Sequence, residues 1–114
     1  MLRGGWAITT LLAAAVGAAA YAEDAATVAR GHKVFEDWCA ACHAPGPRHP
    51  GTQALDALYK GAKPGVLEQR TDLVPALTTT FVRSGVSVMP PFRKTEISDA
   101  ELAALAAYLA PRSR

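Results

Sequence analysis

A small all-α domain with long, proline-rich loops is the fold class predicted by the sequence, and three observations predict it. Apolar residues recur three and four apart in two well-separated segments, one running into a Cys-x-x-Cys-His stretch and one near the C-terminus. No segment sustains the apolar/polar alternation of a half-buried strand. Much of the proline and glycine is gathered in the intervals 44–51 and 85–94, where it marks turns and loops. With 114 residues the chain holds one domain.

The N-terminus is read separately. Met1-Leu2-Arg3 is a short basic start, Trp6 to Ala20 is uncharged and apolar, and Ala20-Tyr21-Ala22 has the small-x-small form of a cleavage site. The apolar run is shorter than the roughly 20 residues of a spanning helix. Residues 1–22 are therefore expected to be a signal peptide cleaved after Ala22, with a retained anchor as the alternative. Residues 23–114 then form the exported domain, in the periplasm, with no stable membrane insertion after cleavage.

Each helix has its own signals. Val28, Gly31, Phe35, Trp38, Cys39 and Cys42 lie at helical spacings that lead one face into the cysteine motif, and Gly31 marks a close backbone approach. Thr52 to Tyr59 reads as a short helix carrying Leu55 and Leu58 on one side, bounded by Gly61 and Pro64. Val74 to Arg83 reads as another, with Pro75 in its first turn and Gly85 closing it. Ser98 and Glu101 form a capping box, Ile97 and Leu102 a hydrophobic staple, and Asp99 complements the dipole. Leu102, Leu105, Tyr108 and Leu109 then mark one stripe, and Pro111 ends the helix, which is expected to cross the first one at Gly31.

Charge excludes one class of partner. All 10 acidic residues, and all 12 basic ones except Arg3, follow Ala22, so the exported domain is nearly neutral. No Lys/Arg cluster tracks phosphates, and no nucleic-acid partner is expected.

The 2 cysteines, Cys39 and Cys42, stand in Cys39-Ala40-Ala41-Cys42-His43. Such a pair can hold a disulfide, a dithiol redox couple, half a zinc site or a haem. Residues three and four apart share a helical face, so both sulfurs and the His43 imidazole can approach one flat cofactor. A dithiol couple of the thioredoxin type needs a βαβ context, and zinc needs further ligands that His32 and His49 are not spaced to supply. The expectation is one covalent haem c and its iron, anchored by thioethers at Cys39 and Cys42 and ligated by His43.

After Ala22 the one methionine is Met89, in Met89-Pro90-Pro91-Phe92-Arg93. A lone methionine commonly fills a core. Here two successive prolines would hold a soft thioether rigidly against the second iron face, so Met89 is expected as the other axial ligand. His32 lies on the entering helix and His49 on the following loop, both poorly placed for that face. The second nitrogen of His43 is expected to donate to the carbonyl of Pro47 or, by preference, Pro50. Arg70, Arg83 and Arg93 are candidate donors to haem propionates, with solvated side chains or salt bridges as the alternative. Trp38, Tyr59, Phe81 and Phe92 are expected in the core or pocket wall.

At this point the sequence resembles a class I cytochrome c. Gly31 and Phe35 precede the cysteine motif, Met89-Pro90 follows, and Leu105-x-x-Tyr108 closes the match. The resemblance implies N- and C-terminal helices crossed around the haem, with its edge exposed on one side. Trp38 to His43, Leu67-Glu68-Gln69-Arg70-Thr71-Asp72-Leu73, and Phe81-Val82-Arg83-Ser84-Gly85 running on to Arg93 look more narrowly like the small cytochrome subunit of flavocytochrome dehydrogenases of the 4-cresol dehydrogenase (p-cresol methylhydroxylase) type. That likeness implies a separate FAD-containing dehydrogenase subunit that oxidises a 4-alkylphenol or aryl alcohol and sends single electrons to this chain. No Gly-x-Gly-x-x-Gly turn is present to bind FAD here.

The expected role is thus a non-catalytic electron-transfer subunit that passes electrons to a downstream periplasmic acceptor. A free periplasmic cytochrome c feeding a terminal oxidase is the alternative. An enzyme or gas sensor would need a vacant iron position. Residues 44–51 and 86–92, which would flank the haem edge, are the expected docking surface.

Overall fold

The computed structural model describes residues 24–111. The expected signal peptide and its cleavage site lie outside the described residues. Helix α1 covers residues 24–38, followed by α2 (Ala40–His43), α3 (Pro50–Tyr59), a short 3-10 turn (Leu67–Gln69), α4 (Pro75–Ser84) and α5 (Asp99–Leu109). Among the described residues there is no strand, only an isolated bridge between Val86 and Met89. None of these helices is long and apolar enough to cross a membrane.

The helix signals act as their chemistry dictates. Ser98 caps α5 by accepting from the Glu101 N–H, and the Glu101 carboxylate accepts from the Ser98 N–H, so two otherwise orphaned donors are satisfied reciprocally. That hydrogen bond holds the Glu101 carboxyl below its usual range. Ile97 is fully buried beside Leu102 as the staple requires. Pro75 and Pro50 open α4 and α3 at the first helical position, where a missing N–H costs nothing. Helix α3 therefore starts two residues before Thr52.

The core gathers Val34 and Phe35 of α1, Leu73, Val82 of α4, Ile97, and Leu102, Leu105 and Leu109 of α5. The tightest contact lies where α1 crosses α5. A Cβ added at Gly31 would stand 2.0 Å from the Ala104 carbonyl oxygen and 2.7 Å from the Tyr108 Cβ. Only a glycine lets the two backbones meet there, as its place in the sequence predicts. Leu58 is 68% exposed, and the residue α3 buries is Thr52, whose hydroxyl donates to the Ala44 carbonyl at 2.9 Å.

A polar cluster ties the middle of the chain. Arg70, nearly buried, donates from Nε and Nη2 to the two Asp72 carboxylate oxygens at 2.6 and 2.8 Å and lies 4.8 Å from the Tyr59 ring centroid. Lys63 reaches the same carboxylate at 2.8 Å. The Arg70 hydrogen bond, then that from Lys63, holds the Asp72 carboxyl well below its usual range.

Gly31→Ala is expected to destabilise the haem-loaded protein by about 2 kcal/mol or more, because the obstructing atoms are backbone rather than movable side chain; urea unfolding measures it. Asp72→Asn should cost about 1 kcal/mol at neutral pH. A carboxyl with a depressed folded pKa stabilises above its unfolded value, and that contribution fades as pH falls through the folded value. The difference between wild type and Asp72→Asn should therefore shrink on acidification below the ordinary carboxylate range, as paired unfolding curves would record.

Candidate functional site

The cysteine motif is a separate turn pinned to the end of α1. The Cys39 N–H donates to the Phe35 carbonyl at 2.9 Å, and Phe35 is among the most deeply buried side chains. The Cys39 carbonyl then accepts from the N–H groups of Cys42 and His43 at 3.1 and 2.9 Å. Core packing at Phe35 thus fixes where the turn begins, with Cys39 capping the short helix α2 that carries Cys42 and His43. Both thiols are free; Cys39 is half-buried and Cys42 exposed.

The electrostatics of these groups are informative. Burial first, and the neighbouring Cys42 second, pushes the Cys39 thiol up to about 11. Dithiol redox catalysts depend on the opposite shift, since the thiolate is the nucleophile. Burial lowers the His43 pKa, which keeps the imidazole neutral, the form that ligates a metal.

Around His43 the following loop is closed at both ends. His49 donates from Nδ1 to the Ala41 carbonyl at 3.0 Å, and Thr52 holds Ala44. Gly51 lies directly against the histidine: a Cβ there would stand 2.7 Å from the His43 Cε1 and 2.8 Å from both the His43 Nδ1 and the Cys42 carbonyl oxygen. The expected hydrogen bond from His43 to Pro47 or Pro50 is not formed. The His43 Nδ1 is buried without a partner. The Pro47 carbonyl accepts instead from the Gln53 amide, and Pro50, as the first residue of α3, directs its carbonyl along the helix axis.

Met89 is half-buried and packs against the same core cluster as Cys39 and Ala40. Its segment is held by more than its prolines. Val86 and Met89 exchange both backbone hydrogen bonds, at 3.0 and 2.9 Å, across a two-residue turn with Ser87 at φ 53°. Gly85, at φ 68°, lies so close to the returning chain that a Cβ would stand 2.7 Å from the Met89 carbonyl oxygen. The Phe92 N–H donates to the Val82 carbonyl at 2.8 Å. An edge-on contact between Trp38 and Phe92, centroids 6.0 Å apart, joins this segment to the residue preceding Cys39.

The other candidates are placed elsewhere. His32 is exposed on α1 beside Glu36 and the Tyr108 ring. Arg70 and Arg83 are engaged by protein carboxylates and carbonyls, and Arg93 is exposed. Tyr59 stacks with Arg70, while Trp38 and Phe81 are 43% and 39% exposed rather than core. Among the described residues no three His, Cys, Asp or Glu side chains gather into a metal-binding group. Sequence reasoning missed Gly51 and the Val86–Met89 pairing. The Pro50-Gly51 step was the only local signal for the first, and the isolated bridge has none.

These residues fit a covalently held haem. Two free thiols lie on one turn beside a neutral histidine whose ring nitrogen is unpaired. Half-buried Cys39, Leu67, Leu77, Met89 and Phe92 border the core with apolar atoms, and the part-exposed Trp38 and Phe81 offer ring faces for a flat partner.

The family described as cytochrome c oxidase, cbb3-type, subunit III matches residues 26–109, nearly the whole described chain. No curated protein and no solved structure matches significantly. The family brings with it one covalently bound haem c and its iron, a role in electron transfer rather than substrate turnover, and the small all-α cytochrome c fold seen here.

Gly51→Ala is expected to destabilise the haem-loaded protein by about 1–3 kcal/mol, because the added methyl meets both the His43 ring and the Cys42 carbonyl. Urea unfolding of the haem-loaded protein reads the loss.

Proposed function

The chain belongs to the family described as cytochrome c oxidase, cbb3-type, subunit III, and we propose that it is a periplasmic class I cytochrome c that accepts single electrons from a separate FAD-containing dehydrogenase subunit. In this reading Cys39 and Cys42 would hold the haem through thioethers, and His43 and Met89 would ligate its iron. The observation that carries the ligand set is the placement of both thiols and an unpaired, neutral His43 on one turn, with Met89 held at the border of the same core.

The haem supplies a one-electron couple at iron. The chain's residues decide how it is used. Two cysteines one helical turn apart fix the ring to α2 whatever the oxidation state of the metal. With His43 and Met89 both as ligands, the iron would have no open position for a substrate, and the haem would supply electron transfer through its edge. Histidine with a thioether favours the reduced metal and raises the potential, which suits an acceptor of electrons from reduced flavin.

The partner reading rests on the likeness of residues 38–43, 67–73 and 81–93 to the cytochrome subunits of flavocytochromes that oxidise 4-alkylphenols or aryl alcohols. In this reading the docking surface is formed by residues 44–51 and 86–92. Val86 and Val88, 49% and 94% exposed at the tip of the Met89 turn, give it an apolar tip. The family description supports a second reading, a carrier that delivers electrons towards a terminal oxidase. The two differ in what the protein binds stably.

Oxidised wild-type protein is expected to have the weak far-red absorption of ferric iron bound by a thioether, and Met89→Ala to lose it. Rapid carbon monoxide binding by the reduced wild type, unchanged in Met89→Ala, would make the iron five-coordinate and the protein a sensor or enzyme. Purification from the native periplasm should bring down a flavin-containing chain. A protein that elutes free but reduces a membrane oxidase would fit the second reading. Val88→Glu should slow flavin-to-haem transfer without changing the absorption spectrum.

A further inference from the structure

Arg83, in the last turn of α4, is half-buried and has three acceptors. Its Nη1 donates to the carbonyl oxygens of Phe92 at 3.1 Å and Ile97 at 2.8 Å, and its Nη2 donates to the Asp99 carboxylate at 2.9 Å. A cation at this end of α4 is also favoured by the helix dipole. The three acceptors belong to the chain leaving Met89, to the residue preceding the α5 cap, and to the first residue of α5. Three of its five N–H groups are directed at these protein atoms, the salt-bridge alternative the sequence left open.

Its effect on Met89 follows from connectivity. The Phe92 N–H is bonded to Val82 and the Phe92 carbonyl to Arg83, so two consecutive residues of α4 hold both polar groups of one residue. At the other end the segment starts from α4 through Gly85 and the Val86–Met89 pair. Residues 85–92 are therefore a loop closed on one helix at both ends, with Met89 inside it. A thioether is a weak ligand, and it stays on iron only if the loop has little conformational freedom to recover by letting go. Of the two clamps at the Phe92 end, the one from Arg83 is charge-assisted and also ties the segment to Ile97 and Asp99 at the start of α5.

We propose that Arg83 is a positioning residue for the axial methionine: its guanidinium locks the Phe92 end of the ligand loop to α4 and α5, and so sets how often the iron–thioether bond opens. This rests on the assignment of Met89 as ligand. Lys94 also reaches Asp99, at 2.9 Å, but it touches neither carbonyl and cannot substitute for the clamp.

The test uses haem-loaded protein and follows carbon monoxide binding to the ferrous form, whose rate is limited by departure of the thioether. Arg83→Gln should bind carbon monoxide faster by roughly tenfold, the change made by losing one charge-assisted hydrogen bond, with a weakened far-red band in the oxidised state. Arg83→Lys, which keeps the charge but not the fork, should lie between Arg83→Gln and wild type. Asp72→Asn, a destabilised variant whose partners Arg70 and Lys63 lie outside the loop, should leave the rate within about twofold of wild type.

An unchanged rate in Arg83→Gln, or an equal rise in Asp72→Asn, would overturn the proposal. Should Arg83→Gln fail to accumulate, Arg83→Lys alone decides it, because an unchanged rate and band there would contradict the need for a forked donor. Failure of the ligand assignment reads differently: Met89→Ala would then bind carbon monoxide no faster than wild type.

Discussion

The approach of α1 to α5 at Gly31 is the constraint on which the rest of the structure depends. With the Ala104 carbonyl where the first atom of any side chain would be, the crossing admits one residue type. It brings Phe35 into contact with the stripe of α5, and the buried Phe35 carbonyl receives the Cys39 N–H. The position of the cysteine turn is thereby inherited from the packing of two helices whose contacts are far apart in sequence. Neither α2, at four residues, nor the loops around it could hold that position by local propensity.

The same economy governs the two loops that border the site. Each is anchored at both ends by a few directed hydrogen bonds: His49 and Thr52 for the loop after His43, Val86–Met89 and Phe92–Val82 for the loop that carries Met89. Glycines at 51 and 85 let backbone lie against the ring of His43 and the carbonyl of Met89. Rigid loops suit a cofactor that only gains and loses an electron, because the two oxidation states then share one coordination geometry. The apolar border around Cys39, Met89 and Phe92 supplies burial that a small domain cannot obtain from its own side chains.

Local chemistry was legible in the sequence. The capping box at Ser98 and Glu101, the staple of Ile97 and Leu102, the prolines opening helices and the cysteine spacing each depend on residues within one or two turns of one another. Gly31 was legible because a glycine within an apolar helical stripe has few other reasons to be there. Contacts between distant segments were not. No sequence pattern tells that Arg83 will find the carbonyls of Phe92 and Ile97, or that Arg70 will bind Asp72 and stack on Tyr59. The expected hydrogen bond from His43 to Pro47 or Pro50 is not formed for the same reason: the Pro47 carbonyl accepts from Gln53, and Pro50 opens α3. Leu55 and Leu58 mark one side of α3 in the sequence, yet the residue α3 buries is Thr52, bonded through its hydroxyl to Ala44.

The central claim is that the iron is held between His43 and Met89, and proton magnetic resonance of the reduced, haem-loaded protein tests it most directly. A methyl group fixed over the face of a conjugated macrocycle is strongly shielded by the ring current, and Met89 is the one methionine in the described chain. The account predicts a single three-proton methionine resonance far upfield of all others in wild type, missing from Met89→Ala. Its absence from the wild-type spectrum, with the Met89 methyl at an ordinary shift, would contradict the account.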